Sequence, residues 1–413
     1  LTVPRSGELT HTAAKARIDM YGAALRMSPA DSWIEVKSLA LDGSLAQGGV
    51  ASLAIDGLGA YQSQEFKTRG ALTLSGLPTS AADFDPATLK PEGTITLSEL
   101  PGALARLAPG ELGAIANEAL GDRFDLTIAA PAPASSLASL AGKQGPSLQI
   151  DLKGKSLSGA TEVRLVGRDL WLGPTGADLD ATPALFASVD RYLDMKGALP
   201  TLERAARLRI DAQPIGISRG ADGALDPGTL RPVLAMVTSA DDVVLGNLPI
   251  GPDSAPRAVG LRGLSIGAAY HRNDPLASEG SIRATVFDPV DPKAPVADLD
   301  IVSGLMFPRP QAITAHIARV DTARLDKLLA RPGLSADALG AEAGLSIVAA
   351  PMGEGQPLAY RFIIRSPRLN AEGALLEQRD RIQLAAPVQL TWEAPAPWIN
   401  AHVLPRPAEG RTT

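Results

Sequence analysis

The sequence predicts an α+β, strand-dominated fold: two related modules of twisted antiparallel sheet, each with a broken helix packed on its apolar face. Three observations carry this expectation. Short segments alternate apolar and polar residues along almost the whole chain, the signature of strands with one face buried. Hydrophobic residues make up 45% of the chain but aromatics only 4%, so Leu, Ile, Val and Ala must build the core. Finally, one stretch is written twice. Residues 97–130 (LSELPGALARLAPGELGAIANEALGDRFDLTIAA) and 320–350 (VDTARLDKLLARPGLSADALGAEAGLSIVAA) share one grammar. Each has an amphipathic helix, a Pro-Gly break, a second helical piece closing on Ala-Leu-Gly, and an alternating strand.

Taken in order, residues 1–29 hold strand-like runs at 16–20 and 23–27 and are expected to finish a preceding, truncated module. Module 1 spans 30–198. Its opening strands lie at 35–42, 50–56, 70–75 and 93–97, where Ala51, Leu53 and Ile55, then Leu72 and Leu74, then Ile95 and Leu97 share a face. Leu100, Ala103, Leu104 and Leu107 recur at helical spacing. Pro109 ends that piece and can open the next, where Leu112, Ile115, Ala116 and Ala119 form an apolar face. Gly121 suits a left-handed C-cap. Phe124, Leu126 and Ile128 alternate as a strand, and a Pro/Ala/Ser loop at 130–137 leads to Leu148, Ile150 and Leu152. Strands follow at 163–165 and 170–172. Thr182-Pro183 reads as an N-cap and first helical residue, with Leu185, Phe186, Val189 and Leu193 behind it at helical spacing.

Residues 199–255 form a β-rich connecting block, with strands near 208–210, 215–217, 234–238 and 243–245. Module 2 spans 256–404. It restarts the order with strands at 263–269, 281–288, 297–302 and 312–317, repeats the broken helix from Asp321, and closes on Leu345 and Ile347, Phe362 and Ile364, Ile382 and Leu384, and Val388, Leu390 and Trp392. A tail occupies 405–413. The second copy is shorter between its Pro and its Gly stop by about one helical turn, a difference that leaves the buried face of a helix in place.

Charge and cysteine usage narrow the function classes. The formal net charge is −6 and no Lys/Arg run is present, so a basic nucleic-acid face is not expected. There is no cysteine, which excludes disulfide scaffolds, thiolate metal sites and Cys nucleophiles. The chain does not begin with Met or carry a signal-type apolar stretch. It reads as a piece of a longer protein whose anchor lies elsewhere, and oligomeric state is left open.

Motifs that carry chemistry are sparse. Gly263-Leu264-Ser265-Ile266-Gly267 matches the G-x-S-x-G elbow, but that motif needs a helix after the serine, and AAYHRNDP carries no helical pattern. His11, His271, His316 and His402 are too dispersed for a local metal motif. Asp288, Asp291, Asp298 and Asp300 offer oxygen ligands, yet their Asp-Pro pairs read as turns. Arg361, Arg365, Arg368, Arg379 and Arg381 form a locally basic strand face. No catalytic, metal or cofactor residues are predicted. The candidate functional surface is an apolar groove or core face carried by Leu148, Ile150 and Leu152 in module 1, and by Leu345, Ile347, Phe362 and Ile364 in module 2. Alternation alone leaves open whether that face lines an open groove or a closed core.

A family resemblance enters through residues 72–78 (LTLSGLP), 119–128 (ALGDRFDLTI), the strand series 148–172, Thr182-Pro183-Ala184-Leu185, and the second set 338–347 and 362–392. Together these resemble the AsmA-like and TamB-like proteins of bacterial envelopes, over roughly two thirds of the chain. The resemblance rests on architecture rather than on a fixed motif. It implies a non-enzymatic, periplasmic envelope protein without cofactor, whose stacked strands handle lipid or scaffold membrane biogenesis, with lipid or a membrane surface as partner. The helices that interrupt each repeat depart from a continuous groove. The alternative is a structural or adhesive repeat segment of a large exported protein with no ligand.

Overall fold

The computed structural model describes residues 14–25, 33–46, 49–77, 88–107, 111–130, 145–167, 169–192, 200–218, 233–250, 255–271, 278–304, 312–351, 358–378, 381–393 and 395–402. It is strand-dominated and antiparallel, and divides into two compact units, Leu1–Leu199 with Arg207–Met236 and Pro200–Ala206 with Val237–Thr413.

In the first unit, β1 (Ala14–Leu25), β2 (Ile34–Ala46), β3 (Val50–Tyr61), β4 (Gln64–Ser75) and β5 (Lys90–Pro101) run as a meander, each antiparallel to the next. A 3-10 helix (Gly102–Leu107) and α1 (Glu111–Leu120) are inserted before β6 (Arg123–Ala130), yet β6 still pairs directly with β5. The meander continues through β7 (Ser147–Lys153), β8 (Leu157–Val166) and β9 (Asp169–Ala181), and α2 (Pro183–Tyr192) follows. Thr182 Oγ1 accepts the Leu185 N–H at 3.2 Å, the predicted cap. Next come β10 (Thr201–Leu202), β11 (Ala206–Ala212), β12 (Ile215–Ser218) and β13 (Val233–Pro249). Strand β12 pairs with β9 in the first unit, and β10 pairs with the later part of β13 in the second. The stretch read as a connector therefore supplies strands to both units.

The second unit is a further antiparallel meander: β14 (Pro256–His271), β15 (Glu279–Asp288), β16 (Asp291–Gly304) and β17 (Ile313–Asp321), then α3 (Thr322–Leu329) and α4 (Leu334–Leu339), then β18 (Glu342–Pro351), β19 (Leu358–Arg365), β20 (Leu369–Gln378) and β21 (Arg381–Trp392). Helix α5 (Ala396–His402) comes last. Again the helices interrupt a hairpin whose strands, β17 and β18, remain paired.

Several expectations are corrected. Residues 16–20 and 23–27 were expected as two strands, but Ala14–Leu25 is one: Gly22, at φ 64°, turns locally while Tyr21↔Ser38 and Ala23↔Val36 keep one register. Residues 234–238 and 243–245 likewise belong to the single β13. The first helical piece before β6 is a 3-10 helix, with Leu100 still in β5. Strand β20 was not anticipated; it is paired on both sides, to β19 and to β21. Leu193 and the 130–137 loop after Ala130 lie outside the described residues.

The two helix insertions are held by the same hydrogen bonds. Glu99 in β5 and Arg319 in β17 both take positive φ, 59° and 51°, at a bulge that shifts the register just before the helix. The first helical residue then donates its N–H to the residue after the Ala-Leu-Gly stop: Gly102 to Asp122 at 2.8 Å, and Thr322 to Ala341 at 3.3 Å. Both stop glycines, Gly121 and Gly340, take positive φ and close the helix, donating to Asn117 and Ala336 at 2.9 and 3.0 Å. The leucine before each stop accepts from the next hairpin: Lys155 N–H to Leu120, and Arg368 N–H to Leu339.

Candidate functional site: the apolar sheet face

Register places the predicted residues on continuous rows. In the first unit one row crosses eight strands: Ile18, Leu41, Ile55, Gly70, Ile95, Ile128, Ile150 and Thr161 follow one another in pairing order. A parallel row runs through Leu39, Leu97, Leu126 and Leu152. Leu148, two residues from Ile150 on the same face, pairs with Val163 and through it Leu172. In the second unit the equivalent row is Ile266, Ile282, Ile301, Ala315, Ile347, Phe362 and Gly373, and beside it run Leu299, Ile317, Leu345, Ile364 and Leu390. Leu148, Ile150 and Leu152 thus share one face, and Leu345, Ile347, Phe362 and Ile364 share another, because successive same-face positions and cross-strand partners fall together on a pleated sheet.

Burial along the faces is uneven, deepest where helices pack and again at Ala130 and Ala349 beyond the rows. In the second unit Leu325 and Leu328 of α3 pack on Val259, Val286, Val296, Ala297, Val320 and Ala343, a buried row at the end of the strands. One row further, Leu299, Ile317, Leu345 and Ile364 are half-buried, as are Ile301, Ile347 and Phe362 in the row beyond. Within these rows Ile266 and Ile282 on β14 and β15 are 41% and 37% exposed and Leu390 on β21 is 58% exposed, whereas Ala349, two residues beyond Ile347 on the same face, is 1% exposed. In the first unit Leu100, Ala119, Leu120 and Leu185 are buried where α1 packs on the 3-10 helix and α2. Leu148, Ile150, Leu152, Ile95 and Ile128 stay half-buried, while Leu53 and Leu172 are 38% and 37% exposed. The broken helix therefore covers one end of the apolar face rather than the face as a whole. A packed core would bury such rows completely.

The opposite face is polar and several of its charges are paired. Arg283 donates to Asp300 at 3.3 Å, and Arg319 to Asp298 at 2.5 Å. Lys37 Nζ sits 2.5 Å from Glu65, and its hydrogen bond and charge hold the Glu65 carboxyl below the usual carboxylate range. Arg361 does the same to Glu372, with Arg365 adding to it. Arg368 donates to the Asp337 carbonyl at 2.7 Å. Of the predicted basic run, Arg379 lies outside the described residues and Arg381 is exposed.

The chemistry-bearing candidates disperse. Ser265 lies inside β14, which continues as strand to His271, so it sits beside the Arg262/Ser265 register shift and not on a strand-to-helix elbow. His316 is exposed on the polar face opposite Asp300 and Ser346. Asp288 caps a turn by accepting the Val290 N–H at 2.9 Å, and Asp298 accepts Thr285 Oγ1 at 2.9 Å. His11 and the side chains of His271 and His402 lie outside what is described. Among the described residues no group of three His, Cys, Asp or Glu side chains is placed to hold a metal ion, and no helix is long and apolar enough to cross a membrane.

Alternation did not show how far along the strands the helices cover the apolar face. One signal was available: glycines interrupt the apolar rows. A Cβ at Gly70 would lie 2.2 Å from the Thr94 oxygen, and one at Gly93 2.1 Å from that of Ala71. Those positions serve close strand approach and contribute nothing to a filled core. Comparison with protein families, curated proteins and solved structures finds no match to this chain.

Proposed function

We propose that this chain is a non-enzymatic, lipid-handling segment of a larger cell-envelope protein on the periplasmic side, built from two related modules of the AsmA-like/TamB-like kind. The observation that carries the reading is the pair of apolar rows, only half-buried across several strands, with helix α3 packed at one end of the second. Such a surface offers an acyl chain about 0.8 kcal/mol per methylene removed from water. The matched hydrogen bonds at Gly102/Thr322, Gly121/Gly340 and Leu120/Leu339 support duplication of one module. A chain without cysteine is compatible with an oxidising compartment.

The test is ligand uptake. Delipidated protein is incubated with phospholipid vesicles and with a fluorescent fatty acid, then re-isolated. The reading expects stoichiometric lipid retained by the folded protein and competition between the two ligands. No uptake of either sinks lipid handling and leaves a structural repeat segment.

A further inference from the structure

The second unit carries a cationic concavity on its polar side that the lipid-facing rows do not use. It measures about 500 Å³ and is lined by Arg204, Asp242, Arg262, Phe287, Pro292 and Lys293. That volume lies within the range typical of small-ligand sites. Phe287, only 1% exposed, forms its floor, and the Arg262 guanidinium lies 4.9 Å from the ring centroid. Arg262 is fixed further by Nε donating to Asp242 Oδ1 at 3.0 Å and Nη2 donating to the Pro292 carbonyl at 3.0 Å. This leaves Nη1 as a donor of settled orientation. Asp242 is thus spent on Arg262, while Arg204 and Lys293 bring two further positive charges to the same concavity.

We propose that this concavity binds a phosphate-type oxyanion. Three cations against one carboxylate leave an excess of positive charge. A guanidinium held by an aromatic face, a carboxylate and a carbonyl is preorganised to donate, whereas a solvated arginine is not. Lys293 adds a point charge and Arg204 a second fork. A phosphate group from free phosphate or from a lipid headgroup matches that chemistry, and the two sources are separable by experiment. The site is independent of the apolar rows, so it stands or falls separately from lipid uptake by them.

The experiment uses the full chain with two probes: inorganic phosphate by calorimetry, and co-sedimentation with vesicles of pure phosphatidylcholine or of equimolar phosphatidylcholine and phosphatidylglycerol. Two variants accompany it: R204A/K293A, whose side chains are exposed and can be removed without disturbing packing, and D242N, which removes the single opposing charge. Saturable phosphate binding without vesicle binding assigns free phosphate; selective binding to the anionic vesicles assigns a headgroup. In either case R204A/K293A weakens binding by about tenfold or more and D242N strengthens it. Absence of binding to both probes overturns the proposal. So does binding that R204A/K293A leaves unchanged while circular dichroism shows it folded.

Discussion

At the scale of single residues, the chain uses several of its few aromatics in one recurring way: each covers a glycine directly across the strand pair. Phe66 faces Gly59, Trp171 faces Gly216, Phe287 faces Gly260 and Phe362 faces Gly373. A Cβ at Gly59 would lie 2.3 Å from the Phe66 ring, and one at Gly260 2.2 Å from that of Phe287. The ring thus occupies the space a side chain would fill, which pins register between strands that are otherwise interchangeable Leu/Ala ladders. Gly260→Ala is expected to destabilise the protein by about 1–3 kcal/mol, through overpacking against a ring with no room to move. Urea unfolding measures this; a loss within error would show that the ring does not hold the pairing. Neither the pairs nor their register was legible beforehand, since a lone Gly or Phe carries no pairing signal.

Ion pairs at this scale give a modest pH dependence. Arg361 lowers the Glu372 carboxyl in the folded state and Lys37 lowers Glu65, so both pairs stabilise the fold above the unfolded carboxyl range. Their contribution fades as pH falls through the lowered folded values. Both carboxylates are solvent-accessible, so the effect is small and screened by salt. In E372Q the acid limb of the stability–pH curve should become shallower than in wild type; an unchanged limb contradicts the assignment.

At the scale of elements, the broken helix of the second unit is the best-specified piece. Asp321 caps α3, accepting the Arg324 N–H at 3.0 Å. Gly333 offers no side chain to cap α4, and Asp326 of α3 replaces it, accepting the Ser335 and Ala336 N–H groups at 2.6 and 3.0 Å. Asp326 is 3% exposed. Asp326→Ala strands two amide donors and should cost about 2–3 kcal/mol, with α4 losing hydrogen-exchange protection before the strands. At the end of α3, Ala330 holds the left-handed conformation at φ 51° that glycine adopts freely. Ala330→Gly should stabilise by about 0.5–1 kcal/mol, the relieved strain outweighing the added unfolded-state freedom. A lower melting temperature for this variant would contradict that balance. The grammar of this element was legible almost entirely: Asp321, the Pro332-Gly333 break and the Gly340 stop all act locally. What escaped was Asp326, because a cap delivered from the preceding helix depends on how the two pieces fold back.

At the scale of the molecule, the strands themselves were readable from alternation, while the fate of their apolar face was not. Alternation says only that one side avoids water. It does not say whether the cover is a helix, another sheet or a ligand. Leu328 of α3 and Ala338 of α4 are buried at the helix-covered end, while Ile347 and Phe362 in the row stay half-buried. β20 was missed because Gly373, Ala374, Leu375 and Leu376 run on without a polar residue, at the register shifts around Ala374 that break the two-residue period.

The most direct measurement exploits the lack of native cysteine. I347C places one thiol in the middle of the second unit's apolar row, and its reaction with a water-soluble maleimide is followed in the native protein with and without bound phospholipid. An open lipid-facing row predicts reaction at a rate near that of a free thiol, slowed severalfold by lipid. A thiol that reacts only at the rate of global unfolding, indifferent to lipid, would show a closed core and contradict the account.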